Sequence, residues 1–214
     1  MKKIHQFLKL TEHHCIRFAN FPSMDSVARI KELLSTRQRR QVVDEKLTRA
    51  AVLMALFKKK DAWYLLMTKR SDEVEHHKGQ ISFPGGAADS DDKNIVATAL
   101  RETEEEIGLQ AGQIEILGQY DDHVTPTGFI ITPVVGYIEK LPRISPKEEE
   151  VVEILEVPVS LFRDPTKERM VQLVRHGTKV DVYFYDFGKH EIWGATARIS
   201  RDFLRETEIA KIPL

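Results

Sequence analysis

Gly85-Gly86-Ala-Ala-Asp-Ser-Asp-Asp-Lys-Asn94-Ile-Val-Ala-Thr-Ala-Leu-Arg101-Glu102-Thr-Glu104-Glu105-Glu106-Ile-Gly108-Leu109 is the stretch on which the reading of this chain turns. It reads as a glycine turn, an acidic loop, a helix capped by Asn94 and a stop at Gly108. At about 100° per residue, Ile95, Val96, Ala99, Leu100, Thr103 and Ile107 form one apolar arc, so that side of the helix faces a core. Glu102, Glu105 and Glu106 stand at i, i+3 and i+4 and share an edge beside the arc, whereas Glu104 points nearly the opposite way. Like charges so close repel, which costs helix stability unless a cation sits among them or water screens them. A Glu-rich helix taken alone reads as a solvated acidic face. Here the carboxylates border a buried arc and follow a glycine turn, and that context points to a cation with oxygen ligands, Mg²⁺ or Mn²⁺.

Outward from this stretch, 214 residues with no linker-like change of composition make one domain with a sizeable core. A formal charge of -1 supplies no field for broad nucleic-acid binding. The single Cys15 leaves no internal disulfide and suits a reducing cytoplasm. No apolar run approaches the ~18 residues of a membrane span. The start, MKKIHQFLKLTEHHC, is interrupted by Glu12 and two histidines before a signal-peptide core could form, so a cytoplasmic location is expected. His13, His14 and Cys15 lack the spacing of a zinc site.

In chain order, Ile4, Phe7, Leu8 and Leu10 give at best a short amphipathic helix. Val27, Ile30, Leu33 and Leu34 mark one face of a second helix, with Arg37, Arg39 and Arg40 as a solvated basic end that could reach a phosphate. Buried-strand runs follow at Arg49 to Lys60 and Trp63 to Arg70, around the turn-like Lys60-Asp61. A polar loop from Ser71 to Gly79 leads to a short strand, Gln80 to Phe83, which delivers the chain to the glycine turn. Beyond the helix, strands are expected at Ile114 to Tyr120 and Phe129 to Lys140, then in the alternating run Lys147 to Val159. A short helix around Leu161, strand pieces at Val171, Val180 and Ile192, and a helix from Ala195 to about Thr207 complete the pattern. Strands interleaved with helices, without a regular βαβ repeat, predict a mixed sheet covered by helices on both faces. Residues 1–46 read as an N-terminal helical extension, 47–207 as the domain and 208–214 as a tail. The extension has two readings, a cover over a cleft or a surface pairing two copies as a homodimer. Trp193 reads better as a core residue than as a platform for a base.

The central stretch resembles the Nudix box, a Gly followed at a distance by Arg-Glu-aliphatic-X-Glu-Glu-X-Gly-aliphatic. Arg101, Glu102, Glu105, Glu106, Gly108 and Leu109 fall on that pattern. Thr103 stands where an aliphatic residue is usual, and fourteen residues separate Gly86 from Arg101 where the usual box has thirteen. The loop glutamate of the box has no clear counterpart, with Asp89 and Asp92 as candidates for its place. The flanks, Leu66-Met-Thr-Lys-Arg70-Ser71 and Gly79-Gln80-Ile-Ser-Phe83-Pro84-Gly85-Gly86, resemble the coenzyme A pyrophosphatase branch, which tolerates the longer loop. Thr125-Pro-Thr-Gly128-Phe, Thr132-Pro-Val-Val-Gly136, Glu150-Val-Val-Glu153 and Ile192-Trp-Gly-Ala-Thr-Ala-Arg198 match in the same way. One departure is Glu75, where that branch has an Arg, and a carboxylate there repels a polyanion by roughly 1 kcal/mol per close pair in water.

The resemblance implies a single-domain α/β/α sandwich around a mixed sheet and metal-dependent hydrolysis of a small-molecule diphosphate. Glu102, Glu105 and Glu106 would hold Mg²⁺ or Mn²⁺, helped by a backbone carbonyl at Gly85-Gly86. Arg101 would orient Glu105, and Arg70, His77, Lys78, Gln80 and Gly86 would hold the phosphates. For His77 and Gln80, plain loop hydrogen bonding is an equal alternative. Glu105, Glu150 and Glu153 are candidates for the general base. Coenzyme A is the first substrate expected, with ADP-ribose or a nucleotide sugar second and a non-catalytic binding module third.

Overall fold

The computed structural model describes residues 26–71, 79–175 and 178–214. Expectations that fall on Ile4 to Leu10, His13, His14, Cys15, Glu75, His77 and Lys78 lie outside the described residues.

Two strands set the architecture. Strand β1 (Thr48–Lys59) and β2 (Ala62–Arg70) are joined by the Lys60-Asp61 turn, where Lys60 takes φ 55°. They pair antiparallel only from Leu56/Leu65 to the turn, and beyond that point they diverge. The chain refills the gap: β3 (Ile81–Ser82) pairs with β2, β4 (Gly85–Ala87) pairs with β1, and the Leu53 N–H donates to the Pro84 carbonyl at 2.8 Å. The glycine turn is thus wedged into a fork in the sheet.

The other edge of β1 pairs in parallel with β7 (Phe129–Ile138) over ten residues, and β7 carries β5 (Glu115–Gln119) and β6 (His123–Val124) antiparallel. The outer edge of β2 takes β8 (Val151–Pro158). One parallel pair among antiparallel ones makes the mixed sheet that was expected, in the order β3-β2-β1-β7-β5. Helix α2 (Ile95–Ile107) covers one face, above Ala51, Leu53, Ala55 and Phe57. The opposite face, with Met54, Leu56, Leu65 and Met67, packs against α1 (Ser26–Thr36) and α4 (Gly194–Ile209). Alternation along β1 therefore feeds two separate cores, one per face.

The later strand pieces do not join this sheet. Strands β9 (Glu168–Arg175), β10 (Thr178–Phe187) and β11 (His190–Trp193), which follow the short helix α3 (Ser160–Arg163), form a second three-stranded sheet. Its inner face buries Tyr183, Tyr185 and Ile192. Trp193 lies on the other face, 39% exposed and stacked on Phe184 with ring centroids 6.1 Å apart, so the expectation of a core tryptophan is overturned. Strand alternation decides this, because the neighbouring Ile192 takes the inward position.

Of the basic cluster after α1, Arg40 is exposed as expected, but Arg37 and Arg39 are not a solvated helix end. Arg37 bridges Asp121 at 2.8 Å and Glu206 at 2.7 Å, and Arg39 bonds Gln119, the Tyr120 carbonyl and the fully buried Asp122 at 2.5 Å. Asp122 also accepts from Thr132 Oγ1 and the Val42 N–H. With Ile30 in the core, Ser26 Oγ on the Pro213 carbonyl and Ile212 buried, the part of the extension from Ser26 onward and the C-terminal tail are packed into the domain. Guanidinium, hydroxyl and amide donors surround the buried Asp122 carboxylate, which offsets its loss of water. Arg39→Ala is expected to lower unfolding free energy by on the order of 3 kcal/mol, since it leaves a buried carboxylate without its cation. Urea denaturation with an unchanged m-value is the check, and a loss under 1 kcal/mol would refute this account.

Candidate active site

Helix α2 begins and ends where the sequence placed its signals. Asn94 Oδ1 accepts from the Val96 and Ala97 N–H groups at 3.0 Å each, and Gly108 closes the helix at φ 70° with its N–H on the Glu104 carbonyl. Thr103, in place of an aliphatic residue, is buried at no polar cost because its hydroxyl donates to the Ala99 carbonyl at 2.6 Å. The buried side comprises Thr98, Ala99, Thr103, Glu106 and Ile107. A carboxylate therefore sits within the buried face and not only on its border.

Glu106 is 3% exposed. One of its oxygens accepts from the Gly85 N–H at 3.2 Å, and the other faces the Arg70 guanidinium at 3.2 Å. Burial pushes its carboxyl up to about 7, against the pull of Arg70 and the Gly85 amide, and the nearby charges of Glu102 and Glu150 push the same way. The strand β2, the glycine turn and the helix meet at this one side chain.

Glu102 lies against the turn. A Cβ added to Gly86 would stand 2.3 Å from Glu102 Oε2, so glycine is what lets the carboxylate and the β4 backbone approach. Glu105, 56% exposed, faces outward on the same edge. Arg101 ties these groups together: it donates to Glu102 at 2.7 Å, to Glu105 at 3.2 Å, to the Ala87 carbonyl at 3.2 Å and to both oxygens of Asp92 at 3.0 Å. The bond from Arg101 holds the Asp92 carboxyl well below the usual carboxylate range. Of the two loop aspartates, Asp92 is thus the one that reaches the helix, while Asp89 caps its own loop through the Asp91 N–H. The sequence suggested Arg101 with Glu105 but not this wider fork, whose only written signal is an aspartate nine residues upstream.

The remaining candidates separate by face. Arg70 faces α2 by the alternation that also sets Tyr64 and Leu66 on that side of β2, and a bulge on β8 at Val152 brings Val151 opposite it. Glu150, whose charge is felt by Glu106, sits at the entry of β8 and pairs with Lys147 at 2.5 Å. Glu153 lies on the opposite face, where its strand neighbours Leu155 and Val157 join the α1 and α4 core, and it meets His190 Nε2 at 3.2 Å. Gln80 supports the site through its backbone, its carbonyl accepting from the Arg70 N–H at 3.0 Å.

A family model described as NUDIX domain matches residues 47–177. The chain belongs to the Nudix family. The uncharacterized Nudix hydrolase NudL of Photorhabdus laumondii subsp. laumondii is 37% identical over 160 residues, covering 75% of this chain and 85% of that protein. Its namesake in Yersinia pestis (strain Pestoides F) is 34% identical over 161 residues, covering 75% and 80%. Among solved structures, the Nudix hydrolase RenU from M. smegmatis aligns with a TM-score of 0.53 at 21% identity, over 78% of this chain and 88% of that one. The MutT protein from Methanosarcina mazei Go1 aligns with a TM-score of 0.52 at 16% identity, over 80% and 100%. These two share the fold. No helix among the described residues is long and apolar enough to cross a membrane.

Nudix hydrolases generally need a divalent metal ion, and the residues around this turn fit one. Every donor is a hard oxygen, Gly86 leaves a cradle that a side chain would fill, and the buried Glu106 carboxyl gains from any cation placed beside it. Among the described residues no three acidic, histidine or cysteine groups are already gathered as a metal cluster. Guanidinium groups stand between the carboxylates instead.

The two glycines respond differently to a methyl group. The three atoms nearest a Cβ at Gly86 all belong to the flexible end of Glu102, so in Gly86→Ala kcat is expected to fall at least tenfold with the thermal midpoint nearly unchanged. Gly85→Ala places its Cβ 2.2 Å from the Ala51 carbonyl at φ 150°, so loss of stability is expected there. Melting curves alongside turnover test both, and a fully active Gly86→Ala would remove Glu102 from the site.

Proposed function

We propose that Glu102, Glu105 and Glu106 hold Mg²⁺ or Mn²⁺ beside the Gly85-Gly86 turn, and that the Nudix hydrolase built on them splits the pyrophosphate of coenzyme A or a derivative. The observation that carries the chemistry is the convergence of the buried Glu106 and the Arg101-held Glu102 on a turn whose backbone is bare. When bound, the ion neutralises diphosphate charge and makes water a better nucleophile at neutral pH. Arg101 keeps Glu102 and Glu105 at a fixed spacing, which removes the entropy of ordering them at each turnover. Arg70 holds Glu106 and is available to phosphate oxygens on the same side of the sheet. Glu150 takes a proton from water as its oxygen bonds to one phosphorus. The anhydride P–O bond breaks, and 3',5'-ADP and 4'-phosphopantetheine leave as two phosphate monoesters.

Coenzyme A is favoured by the likeness of Leu66 to Ser71 and Gly79 to Gly86 to that branch. Thr68 opposite Ser82 and Lys69 opposite Ile81 make those two segments one continuous unit. Glu75 supports a second reading, in which the substrate is ADP-ribose, a nucleotide sugar or another diphosphate without the 3'-phosphate. A cytoplasmic location suits either class of substrate.

Product analysis with Mg²⁺ or Mn²⁺ against coenzyme A, ADP-ribose, a nucleotide sugar and NADH separates the two readings. Release of 3',5'-ADP with the highest kcat/KM is the expected result, and preference for a diphosphate without the 3'-phosphate selects the second reading. Glu106→Gln is expected to lose at least a hundredfold in kcat while retaining the fold; wild-type turnover in that variant would refute the assignment. For the base, Glu150→Gln should lower kcat at least tenfold and Glu153→Gln should leave it within about twofold. The reverse order would move the proton acceptor to the other face.

A further inference from the structure

We infer that Arg49 is the residue that binds a phosphate carried on one arm of the diphosphate substrate, and so selects substrates that have one. The inference rests on the hydrolase reading above and adds a specificity residue to it.

Arg49 occupies the second position of β1, two residues before Ala51. Ala51 pairs with Gly86, and the Ala88 N–H donates to the Arg49 carbonyl at 2.8 Å. Alternation along the strand sets Arg49 on the face of Ala51, Leu53 and Ala55, which is the face of α2 and its carboxylates. Its bond to Thr132, the β7 neighbour of Ala51, agrees with that direction. Strand geometry places its Cα about 8 Å from that of Gly86. This is the separation between a diphosphate at the turn and a group on its nearer substituent.

Among the described residues, Arg70, Arg101 and Arg39 each face a carboxylate, and Arg70 stands beside the turn where the diphosphate itself would lie. Arg70 faces Glu106, Arg101 faces Asp92, Glu102 and Glu105, and Arg39 faces Asp122 at 2.5 Å. Arg49 donates to the Val42 carbonyl at 2.9 Å and to Thr132 Oγ1 at 3.4 Å. Among the described residues, the one carboxylate in ion-pair range of it is Asp122 at 3.8 Å, which Arg39 already neutralises. Its side chain is 40% exposed. A guanidinium with spare donors, a spent counter-ion and an open side is built to take a phosphate dianion.

The test compares coenzyme A with 3'-dephospho-coenzyme A, which share the scissile anhydride and differ by the one phosphate. For the wild type, kcat/KM is expected to favour coenzyme A. Arg49→Ala should lower kcat/KM for coenzyme A about ten- to a hundredfold, mostly through KM, and leave the dephospho substrate within about twofold. Arg49→Gln, which can keep a bond to the Val42 carbonyl, should show the same selective loss, and Arg49→Lys should recover part of it. Equal losses on both substrates in the Ala and Gln variants, or no loss on either, would overturn the assignment and leave Arg49 as a strut for the Val42 segment. A wild type that cleaves both substrates equally also overturns it, with the hydrolase reading intact. Failure of the wild type on every diphosphate offered with Mg²⁺ or Mn²⁺ would instead bring down the hydrolase reading on which it rests.

Discussion

The burial of Glu106 is the constraint on which the site depends. A carboxylate can be taken out of water only where donors meet it, and here they come from two different strands: the Gly85 amide on β4 and the Arg70 guanidinium on β2. For both to arrive at one helix position, β1 and β2 must diverge, and the segment between Gln80 and Ala87 must fill the opening. The fork costs sheet hydrogen bonds between β1 and β2, and β3, β4 and the Pro84 carbonyl replace them. The same divergence brings bare backbone against Glu102. Fold and site are one arrangement here.

Around that point the charges are organised in two tiers. Arg101 gathers the loop and the exposed edge of the helix, with Asp92 on one side and Glu102 and Glu105 on the other, so the repulsion between carboxylates is answered within the protein. Further along the sheet, Asp122 with Arg39 and Thr132 locks the segment after α1 onto the ends of β6 and β7. That buried pair is structural, and it leaves Arg49 beside it with only a longer contact to the same carboxylate, at 3.8 Å. A network that neutralises most of its members but not all defines where an anion can be received.

The second, three-stranded sheet has a different standing. It attaches through Tyr183, Tyr185 and Ile192 to the α1 and α4 core, and its His190 meets Glu153 on the face away from the carboxylates. Two glutamates three residues apart in one motif therefore belong to different sides of the protein. Sequence spacing could not separate them, because a strand begins between them and sets which side each residue faces.

What the sequence by itself determined is local: the caps Asn94 and Gly108, the shared edge of Glu102, Glu105 and Glu106, the Lys60-Asp61 turn, and the alternation that makes β1 a two-faced buried strand. These follow from helix and strand periods and from the backbone freedom of glycine, which need no partner to be read. Tertiary structure alone decided the rest. Which loop aspartate holds Arg101, why Arg37 and Arg39 are half-buried and paired, why Trp193 is exposed and which face Glu153 takes all depend on which strands pair and in what register. A one-residue bulge on β8 sets Val151 rather than Val152 opposite Arg70 and inside the core, and no local preference encodes such a shift. The carboxylate edge proposed to hold the metal was legible, with Arg101, because it lies within a single helix, whereas Arg70, Arg49 and Arg39 come from β2, β1 and the strap after α1, which meet only when the sheet closes.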